Sequence, residues 1–264
     1  MTSWFGKWAL VTGASAGIGK ALAQELARGG TNLVLTARRR DRLEELAQQL
    51  AATHKIQTRI FAADLAETDA PGKIFQFTKG QGIEIELLIN NAGFGAYGEF
   101  YTVAPDRLIS MVQVNCSAVV HLTRLYLPGM VARQHGDVMI VASTASFQSV
   151  PYISTYAATK AFDLIFAEGL AEEMKRHGVR VCALCPGSTE SEFSEVAGQT
   201  HIAATKRHRE TAEKVARTGL RALAAGKSYV ISGLGNYLGV LGQRLVSRRF
   251  VARVAAQMFR PEKV

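Results

Sequence analysis

The sequence predicts an α/β fold in which one parallel sheet of seven strands is doubly wound, with helices on both of its faces. Short apolar runs alternate with longer segments in which apolar residues recur at three- and four-residue intervals. Strands that are separated by helices require right-handed crossovers, and such crossovers make the strands parallel. The ligand crevice of such a sheet lies beyond the carboxyl ends of its strands. Candidate ligand residues lie at or just after the ends of six runs: Gly13, Ala37, Asp64, Asn90, Ser143 and Pro186.

Each predicted element follows from its pattern. The seven runs are mainly apolar and short, which is typical of buried strands. We predict strands at 8–12, 32–36, 56–62, 87–90, 138–142, 179–185 and 228–232. The segments between them carry apolar stripes at helical spacing, which a helix buries against a sheet. We predict helices at 19–28, 42–52, 106–133 and 155–177.

The bulk composition indicates one globular domain. The chain has 264 residues, of which 48% are hydrophobic, and this is enough for a sizeable core. Its six prolines are scattered, and no repeat or low-complexity run divides it. We expect one domain over residues 1–235 and a basic amphipathic helical extension over 236–264 that packs on or near it.

Positive charge is concentrated in two places. The formal charge is +9, of which residues 236–264 hold +5. A second group, Arg38, Arg39, Arg40 and Arg42, follows the second predicted strand. Such charge can attract nucleic acid, an anionic membrane surface or an anionic small molecule. A local phosphate site accounts for the second group, so we expect no nucleic-acid partner.

The cysteines predict neither disulfides nor a metal site. Cys116, Cys182 and Cys185 form a sparse, odd set that favours a reducing compartment. Cys182 and Cys185 lie three apart in a predicted strand, so their side chains point to opposite faces. We therefore expect both to be buried in the core, as free cysteine often is, and we expect no metal ligands.

The sequence also favours a cytoplasmic location. No basic region followed by an uninterrupted apolar segment is present near the N-terminus. The uncharged stretch near the C-terminus, residues 228–243, contains several glycines and falls short of the about 20 apolar residues that span a bilayer.

A glycine-spaced turn follows the first predicted strand. It reads TGASAGIG over residues 12–19. Gly13, Gly17 and Gly19 would let the backbone turn tightly and approach a pyrophosphate, while the next helix would offer free N–H donors and partial positive charge. The turn after a strand therefore predicts a Rossmann-like dinucleotide site.

The end of the second strand favours NADP over NAD. A carboxylate normally bonds the ribose hydroxyls of NAD at this position. This chain has Arg38 and Arg39 instead, and arginine binds phosphate bidentately; the alternative is a solvated start of the next helix. After the third strand, Asp64 and Leu65 are candidates for contact with the adenine, although Asp64 could equally be a helix cap.

Tyr156 and Lys160 are the most informative pair in the chain. Four residues apart on a helix, they lie on one face, so the ammonium lies near the phenol. A nearby cation lowers the pKa of a tyrosine, ordinarily about 10, and makes it a usable acid or base. Ser143 adds a hydroxyl donor that could stabilise negative charge on a carbonyl oxygen. The three residues predict a hydride-transfer site.

These motifs resemble those of the short-chain dehydrogenase/reductase family, in its ordinary single-domain branch, over nearly the whole chain. The matching motifs are the turn at 12–19, NNAG at 90–93, Asn115, Ser143, YxxxK at 156–160 and PG at 186–187. The resemblance implies that Tyr156 exchanges a proton with the substrate oxygen and that Ser143 hydrogen-bonds that oxygen. It implies further that Lys160 binds the nicotinamide ribose and lowers the tyrosine pKa, and that Asn115 holds a water in the proton relay.

The resemblance also implies the cofactor contacts. The family usually places a threonine after the Pro-Gly pair to bond the nicotinamide carboxamide. Here Ser191 aligns best and Thr189 is the alternative. The expected NADP-binding residues are Gly13, Ser15, Gly17, Ile18, Gly19, Arg38, Arg39, Asp64, Leu65, Asn91, Ala92, Gly93, Tyr156, Lys160, Pro186, Gly187, Thr189 and Ser191.

The expected substrate is a small hydrophobic ketone or secondary alcohol. Aromatic residues on loops near the crevice suggest an apolar pocket, although core packing of half of them would remove this argument. They are Phe94, Tyr97, Phe100, Phe147, Tyr152 and Phe193. The run NAGFG at 91–95 is similar to the hydroxysteroid and long-chain ketoacyl reductase side of the family.

Alternative functions and the role of the tail stay open. The first alternative is a non-catalytic dinucleotide-binding sensor or scaffold, against which the intact Ser143, Tyr156 and Lys160 speak. A methyltransferase on a related fold would give the Tyr156/Lys160 pair no purpose. The tail could be a lid, a subunit contact or a membrane-surface helix, and we favour packing on the protein. We expect a homodimer or homotetramer.

Overall fold

A computed structural model describes residues 4–198 and 209–261. Within these residues, seven parallel strands form one sheet in the order β3-β2-β1-β4-β5-β6-β7. The strands are β1 (Trp8–Thr12), β2 (Asn32–Ala37), β3 (Thr58–Ala62), β4 (Ile85–Asn90), β5 (Gly136–Val141), β6 (Val179–Cys185) and β7 (Tyr229–Ile231). The chain order reverses between β1 and β4, which opens a crevice at the carboxyl edge. The predicted doubly wound fold is confirmed.

Helices connect the strands and continue after β7. They are α1 (Gly17–Arg28), α2 (Arg40–His54), α3 (Ala70–Gly80), α4 (Pro105–Val112), α5 (Ala118–Ala132), α6 (Ser154–Met174), α7 (Phe193–Val196), α8 (Ala212–Ala224), α9 (Leu234–Gln243) and α10 (Arg248–Phe259). Short 3-10 turns occupy Phe100–Thr102, Thr144–Phe147 and Lys175–His177.

The sheet separates two hydrophobic cores. α1, α2 and α8 cover one face, and α3, α5 and α6 cover the other. Cys182 lies in the first core and Cys185 in the second, each fully buried. The prediction that these cysteines point to opposite faces of one strand is thus confirmed.

One long helix crosses the second face of the sheet. α4 and α5 are joined by the π-helical turn Gln113–Ser117 into a continuous segment from Pro105 to Ala132. This segment is long and apolar enough to span a membrane by length and composition alone. Leu122 and Met130 are nevertheless fully buried in the second core. One side of this segment therefore packs in the protein interior, as in a core helix.

Candidate active site

The glycine turn after β1 is packed against the loop that follows β4. Gly13 has a φ of +65°, and a Cβ there would lie 2.9 Å from the Cα of Ala92. A Cβ on Gly19 would collide with the backbone oxygen of Gly13. Glycine is therefore required at both positions. The Thr12 hydroxyl accepts hydrogen bonds from the N–H groups of Asn91 and Ala92, both at 2.9 Å, which joins the two loops.

The N-terminus of α1 is suited to an anion. α1 begins at Gly17, and the preceding Ala16 has no side chain that could cap the first N–H groups. A Cβ on Gly17 would lie 3.0 Å from the Cβ of Ser191. The loop after β6 thus lies close to the glycine turn. The next side chain of the turn, Ile18, packs against the first core, and Leu65 is buried in the second.

The predicted phosphate site contains a carboxylate held by two arginines. Arg39 donates to Glu192 at 2.8 Å and to the Ser15 hydroxyl at 3.3 Å, and Arg42 donates to the other Glu192 oxygen at 2.5 Å. Together the guanidinium groups of Arg42 and Arg39 lower the pKa of Glu192. Two arginines around one anionic group are also the arrangement that binds a phosphate. Arg42 belongs to the basic group that the sequence assigns to a phosphate, but it is not among the expected NADP-binding residues.

Arg38 and Asp64 stand apart from this cluster. The Arg38 side chain is 70% exposed and lies 3.8 Å from Asp64. Asp64 accepts a hydrogen bond from the N–H of Ala66 at 3.0 Å. The alternative that Asp64 caps a helix is wrong, because α3 begins at Ala70 after Asp69.

Ser143 follows β5 by two residues, at the same edge of the sheet. Its hydroxyl accepts a hydrogen bond from Ala145 N at 3.1 Å and thereby caps the following 3-10 turn. Ser146 in that turn donates to the backbone oxygen of Lys160 at 2.7 Å. The Ser143 hydroxyl is therefore held at a fixed place relative to α6.

Tyr156 lies on α6 between charged and aromatic neighbours. Burial raises its pKa, while Lys160 and the hydrogen bond with Ser143 lower it, and the net pKa is raised. The sequence predicts that Lys160 lowers the pKa of the tyrosine. Lys160 has this effect, but the loss of solvation on burial raises the pKa by more. The phenol is accordingly protonated at neutral pH. The ring of Phe193 packs 5.1 Å from that of Tyr156.

Lys160 is buried and paired with a second charge. Its Nζ donates to the backbone oxygen of Val141 at 2.8 Å and to Asp163 Oδ2 at 3.0 Å. Burial lowers the pKa of Lys160, but the charges of Asp163 and Tyr156 raise it more, so the net pKa is raised. Burial also raises the pKa of Asp163 to about 6 against the opposing effect of Lys160. The two groups thus form an ion pair at neutral pH.

Asn115 lies in the π-helical turn and is fully buried. Its Oδ1 accepts from Phe94 N at 3.1 Å, while its Nδ2 donates to Phe94 O at 3.1 Å and to Thr159 Oγ1 at 3.0 Å. A Cβ on Gly93 would lie 3.1 Å from Asn115 Oδ1. The amide therefore joins the loop after β4 to α6. The water-holding role that the resemblance implies stays a prediction.

Of the two candidate hydroxyl residues on the loop after β6, Thr189 and Ser191, only one lies beside the glycine turn. Pro186 O accepts from Thr144 N at 2.9 Å, which joins this loop to the turn after Ser143. Thr189 donates to Gly187 O at 3.1 Å within its own loop. Ser191, by contrast, is the residue that contacts the glycine turn.

The aromatic residues expected near the crevice have different positions. Tyr97 packs with Tyr156 against one small hydrophobic cluster, and Phe193 contacts Tyr156 directly. Phe147 packs against Tyr229 instead. Others lie elsewhere: Phe94 beneath Arg107, Phe100 largely exposed and Tyr152 beside Arg260. The apolar surface beside Tyr156 is thus smaller than the sequence suggested.

Comparison with known proteins agrees with this geometry. The family model for short chain dehydrogenases matches residues 7–202. Among curated proteins, the very-long-chain 3-oxoacyl-CoA reductase-A of Danio rerio is 37% identical over 72% of this chain and 60% of its own length. The Homo sapiens very-long-chain 3-oxoacyl-CoA reductase is 35% identical over 72% and 62%. The chain thus spans less than two thirds of these relatives.

Solved structures give the same result over more of the chain. A short-chain dehydrogenase from Sphingobium yanoikuyae in complex with NADPH has a TM-score of 0.81 at 28% identity, covering 90% of this chain and 94% of its own. L-sorbose reductase from Gluconobacter frateurii, complexed with NADPH and L-sorbose, has a TM-score of 0.78 at 26% identity, with coverages of 88% and 98%. Sequence motifs, fold and family match agree, and the chain belongs to the short-chain dehydrogenase family.

Proposed function

We propose that this chain is an NADP-dependent oxidoreductase that transfers a hydride between the nicotinamide and a hydrophobic ketone or secondary alcohol, with Tyr156 as general acid and base. One observation carries the proposal. Tyr156, hydrogen-bonded to Ser143 and within the field of Lys160, lies on the helix that follows β5. The glycine turn occupies the same carboxyl edge of the sheet.

The residues present fit a phosphorylated dinucleotide. The glycine turn leaves no room for side chains at Gly13 and Gly19, which suits close approach of a pyrophosphate. Arg39 and Arg42 already hold the Glu192 carboxylate, and a 2′-phosphate would offer the same acceptor oxygens with more charge. Two structures similar to this chain are NADPH complexes, which supports NADP.

The protein groups supply proton transfer and charge stabilisation. When bound, NADP supplies or accepts the hydride at the substrate carbon. In reduction, Tyr156, which its raised pKa keeps protonated at neutral pH, donates its phenolic proton to the substrate oxygen. Ser143 donates a hydrogen bond to the same oxygen, and the positive charge of Lys160 stabilises the phenolate that remains. Oxidation of an alcohol uses these steps in reverse.

Two lines of support favour a lipophilic substrate. The surface beside Tyr156 is formed by apolar and aromatic side chains, including Tyr97, Phe193 and Phe259. Relatives of the chain are named very-long-chain 3-oxoacyl-CoA reductases, and a solved structure with a TM-score of 0.86 is a 7beta-hydroxysteroid dehydrogenase. The two names refer to substrates with a long acyl chain or a steroid skeleton, and both of these parts are bulky and apolar.

We propose a reducing, cytoplasmic environment for the same protein. Its three cysteines are buried free thiols. Burial raises the pKa of Cys116 to about 11 and that of Cys182 to about 12. Thiols with such pKa values are almost entirely protonated at neutral pH and react slowly with oxidants.

The proposal is tested by NADPH consumption with a panel of ketones, from acetone to long-chain and steroidal compounds. Tyr156→Phe should lower kcat by about a hundredfold or more, because it removes the proton donor. Tyr229→Phe is the control, since Tyr229 packs against Phe147 away from Tyr156. Wild-type turnover in Tyr156→Phe would refute the assignment of the acid.

A further inference from the structure

Exposed apolar side chains are concentrated at the C-terminal end of the chain. Of the eighteen large hydrophobic side chains that are exposed among the described residues, nine lie between residues 234 and 258. They are Leu234, Tyr237, Leu238, Leu241, Leu245, Val246, Phe250, Val254 and Met258. We call residues 234–260 the C-terminal surface. Packing of this segment on the protein would explain its buried residues, but not these nine exposed apolar side chains.

α9 exposes an apolar stripe on one side. Leu234, Leu238 and Leu241 recur at intervals of four and three residues, so they share one face of the helix, and Leu245 follows two residues after the helix ends. Their side chains are between 46% and 87% exposed, whereas Val240 is the single residue of α9 that is buried. Contiguous apolar surface of this kind marks an interaction site.

α10 has two apolar faces with different environments. Ala255 and Phe259 pack into the hydrophobic cluster that includes Tyr156, and the Tyr97 hydroxyl donates to the backbone oxygen of Phe259 at 2.9 Å. Phe250 and Val254, four residues apart, are 56% and 39% exposed on the opposite side. α10 thus covers the catalytic residues with one face and presents another to the surroundings.

The charge of the C-terminal surface is uniformly positive. Residues 234–260 contain five arginines and no acidic residue, and all five arginines are exposed: Arg244, Arg248, Arg249, Arg253 and Arg260. In a two-fold contact the same patch meets itself, so these charges would repel across a dimer interface. A layer of anionic lipid offers apolar chains and negative headgroups together.

We infer that the C-terminal surface docks on an anionic lipid bilayer and positions the catalytic cleft at the membrane. The exposed leucines of α9 and the outer face of α10 enter the interfacial layer, while the arginines bind lipid phosphates. Resting on the proposed function, this arrangement would deliver a lipophilic ketone from the bilayer to Tyr156. Docking itself requires no turnover.

The first test measures sedimentation of the full chain with vesicles. Equimolar phosphatidylcholine and phosphatidylglycerol should bind it, pure phosphatidylcholine should bind it weakly, and high salt should release it. Replacing Arg248, Arg249 and Arg253 together by glutamine should weaken binding about a hundredfold, since each basic residue near an anionic surface contributes about fivefold. Leu245→Ser with Phe250→Ser should weaken it at least tenfold, by roughly the free energy of burying two apolar side chains.

The control removes the same charge elsewhere. Lys79, Arg221 and Lys227 are exposed on other parts of the molecule, and their replacement by glutamine should leave most of the binding intact. Circular dichroism should be unchanged in every variant, because the altered side chains are exposed. Absence of binding to the mixed vesicles, or equal loss in the control, would overturn the inference. So would variants of the C-terminal surface that bind vesicles normally but change the oligomeric state, because a second copy would then be the partner.

A second test separates docking from catalysis. Turnover of a water-soluble ketone should be the same in wild type and in the triple arginine variant. Turnover of a long-chain ketone held in mixed vesicles should fall in the variant in proportion to lost binding. If the wild type turned over none of the ketones, the proposed function would be contradicted. The vesicle sedimentation test would still show whether the C-terminal surface binds anionic lipid.

Discussion

At the scale of single residues, Asp163 influences both Lys160 and the proposed acid, Tyr156. It lies three residues after Lys160 on α6, is completely buried and pairs with the lysine at 3.0 Å. Its second oxygen is buried without a hydrogen-bond partner among the described residues. The carboxylate holds the ammonium in place, yet its own negative charge raises the pKa of Tyr156.

Asp163→Asn should therefore shift the pH dependence of reduction. Reduction needs protonated Tyr156, so kcat falls as the pH rises through the tyrosine pKa. Removing the negative charge lowers that pKa, so the decline in kcat should begin at a lower pH than in the wild type. The measurement is a profile of kcat against pH from 6 to 11 at saturating NADPH.

The control for this variant is Glu172→Gln, which removes one charge from an exposed position of the same helix. Its profile should match that of the wild type. If Asp163→Asn loses activity without any displacement of the alkaline limb, Asp163 has a packing role only.

Glu192 occupies the two arginines that we assign to the 2′-phosphate. Because a bound phosphate would have to displace this carboxylate, Glu192→Gln should tighten NADPH about tenfold while leaving NADH nearly unchanged. Arg39→Ala with Arg42→Ala should do the reverse and weaken NADPH by about tenfold or more. Isothermal titration of both cofactors measures these effects, and Arg38→Ala is the control. An equal change for NADH and NADPH would contradict the phosphate assignment.

Individual residues differ in how far sequence could predict them. The pair Tyr156 and Lys160 is visible because its members are four positions apart on one helix. Arg42 and Glu192 are separated by 150 positions in the chain, so only the folded structure brings them together. Asp163 has helical spacing to Lys160, but a carboxylate in an apolar segment gives no sign of complete burial until the packing around α6 is known.

At the scale of elements, the π-helical turn between α4 and α5 determines where Asn115 points. The extra residue in such a turn breaks the regular hydrogen-bond ladder, and these turns are frequent at functional sites. The sequence signalled Asn115 because asparagine is a poor residue for helix interiors. It could not specify the partners of the amide, Phe94 and Thr159, which come from separate elements.

Asn115→Ala should destabilise the protein by about 2 to 4 kcal/mol. It removes the side-chain partner of the backbone N–H and oxygen of Phe94, while the Thr159 hydroxyl loses one hydrogen bond and keeps its donation to Tyr156 O. Each buried unsatisfied group costs about 1 to 3 kcal/mol. Urea unfolding at one fixed protein concentration provides the measurement. Ser117→Ala, an exposed change in the same turn, should stay within about 0.5 kcal/mol of wild type. Equal stabilities for the two variants would contradict the conclusion that Asn115 stabilises the fold by joining the loop after β4 to α6.

Other elements were predictable to different degrees. β1 and β6 have the predicted bounds, although the partly buried Arg180 interrupts the apolar run of β6. β4 begins at Ile85, two residues before the predicted start, since the partly buried Glu86 interrupts the apolar run. The sequence pattern does not predict α3, because Pro71 and Gly72 are poor helix formers. Both lie in the first turn of this helix, where proline is tolerated.

At the scale of the whole molecule, two exposed apolar surfaces differ in charge. Besides the all-positive C-terminal surface, apolar side chains are exposed along α4, α5 and α6: Ile109, Val112, Val120, Phe162 and Ile165. Here α5 carries the exposed Arg124 and α6 the exposed Glu172. A two-fold contact can pair such opposite charges, so we assign this helical surface to the expected homo-oligomer.

Ile165→Asp should convert the protein to monomers or smaller oligomers. The Ile165 side chain is 68% exposed in the single chain, so the substitution costs little in the monomer. In a dimer it would bury an unpaired carboxylate twice, because the contact is symmetric, and the dissociation constant should rise at least about hundredfold. Sedimentation velocity over a range of concentrations measures this shift. Leu245→Asp on the C-terminal surface is the matched control, at 87% exposure, and should leave the oligomer intact. Dissociation by Leu245→Asp but not by Ile165→Asp would exchange the roles of the two surfaces, with the C-terminal helices as the subunit contact.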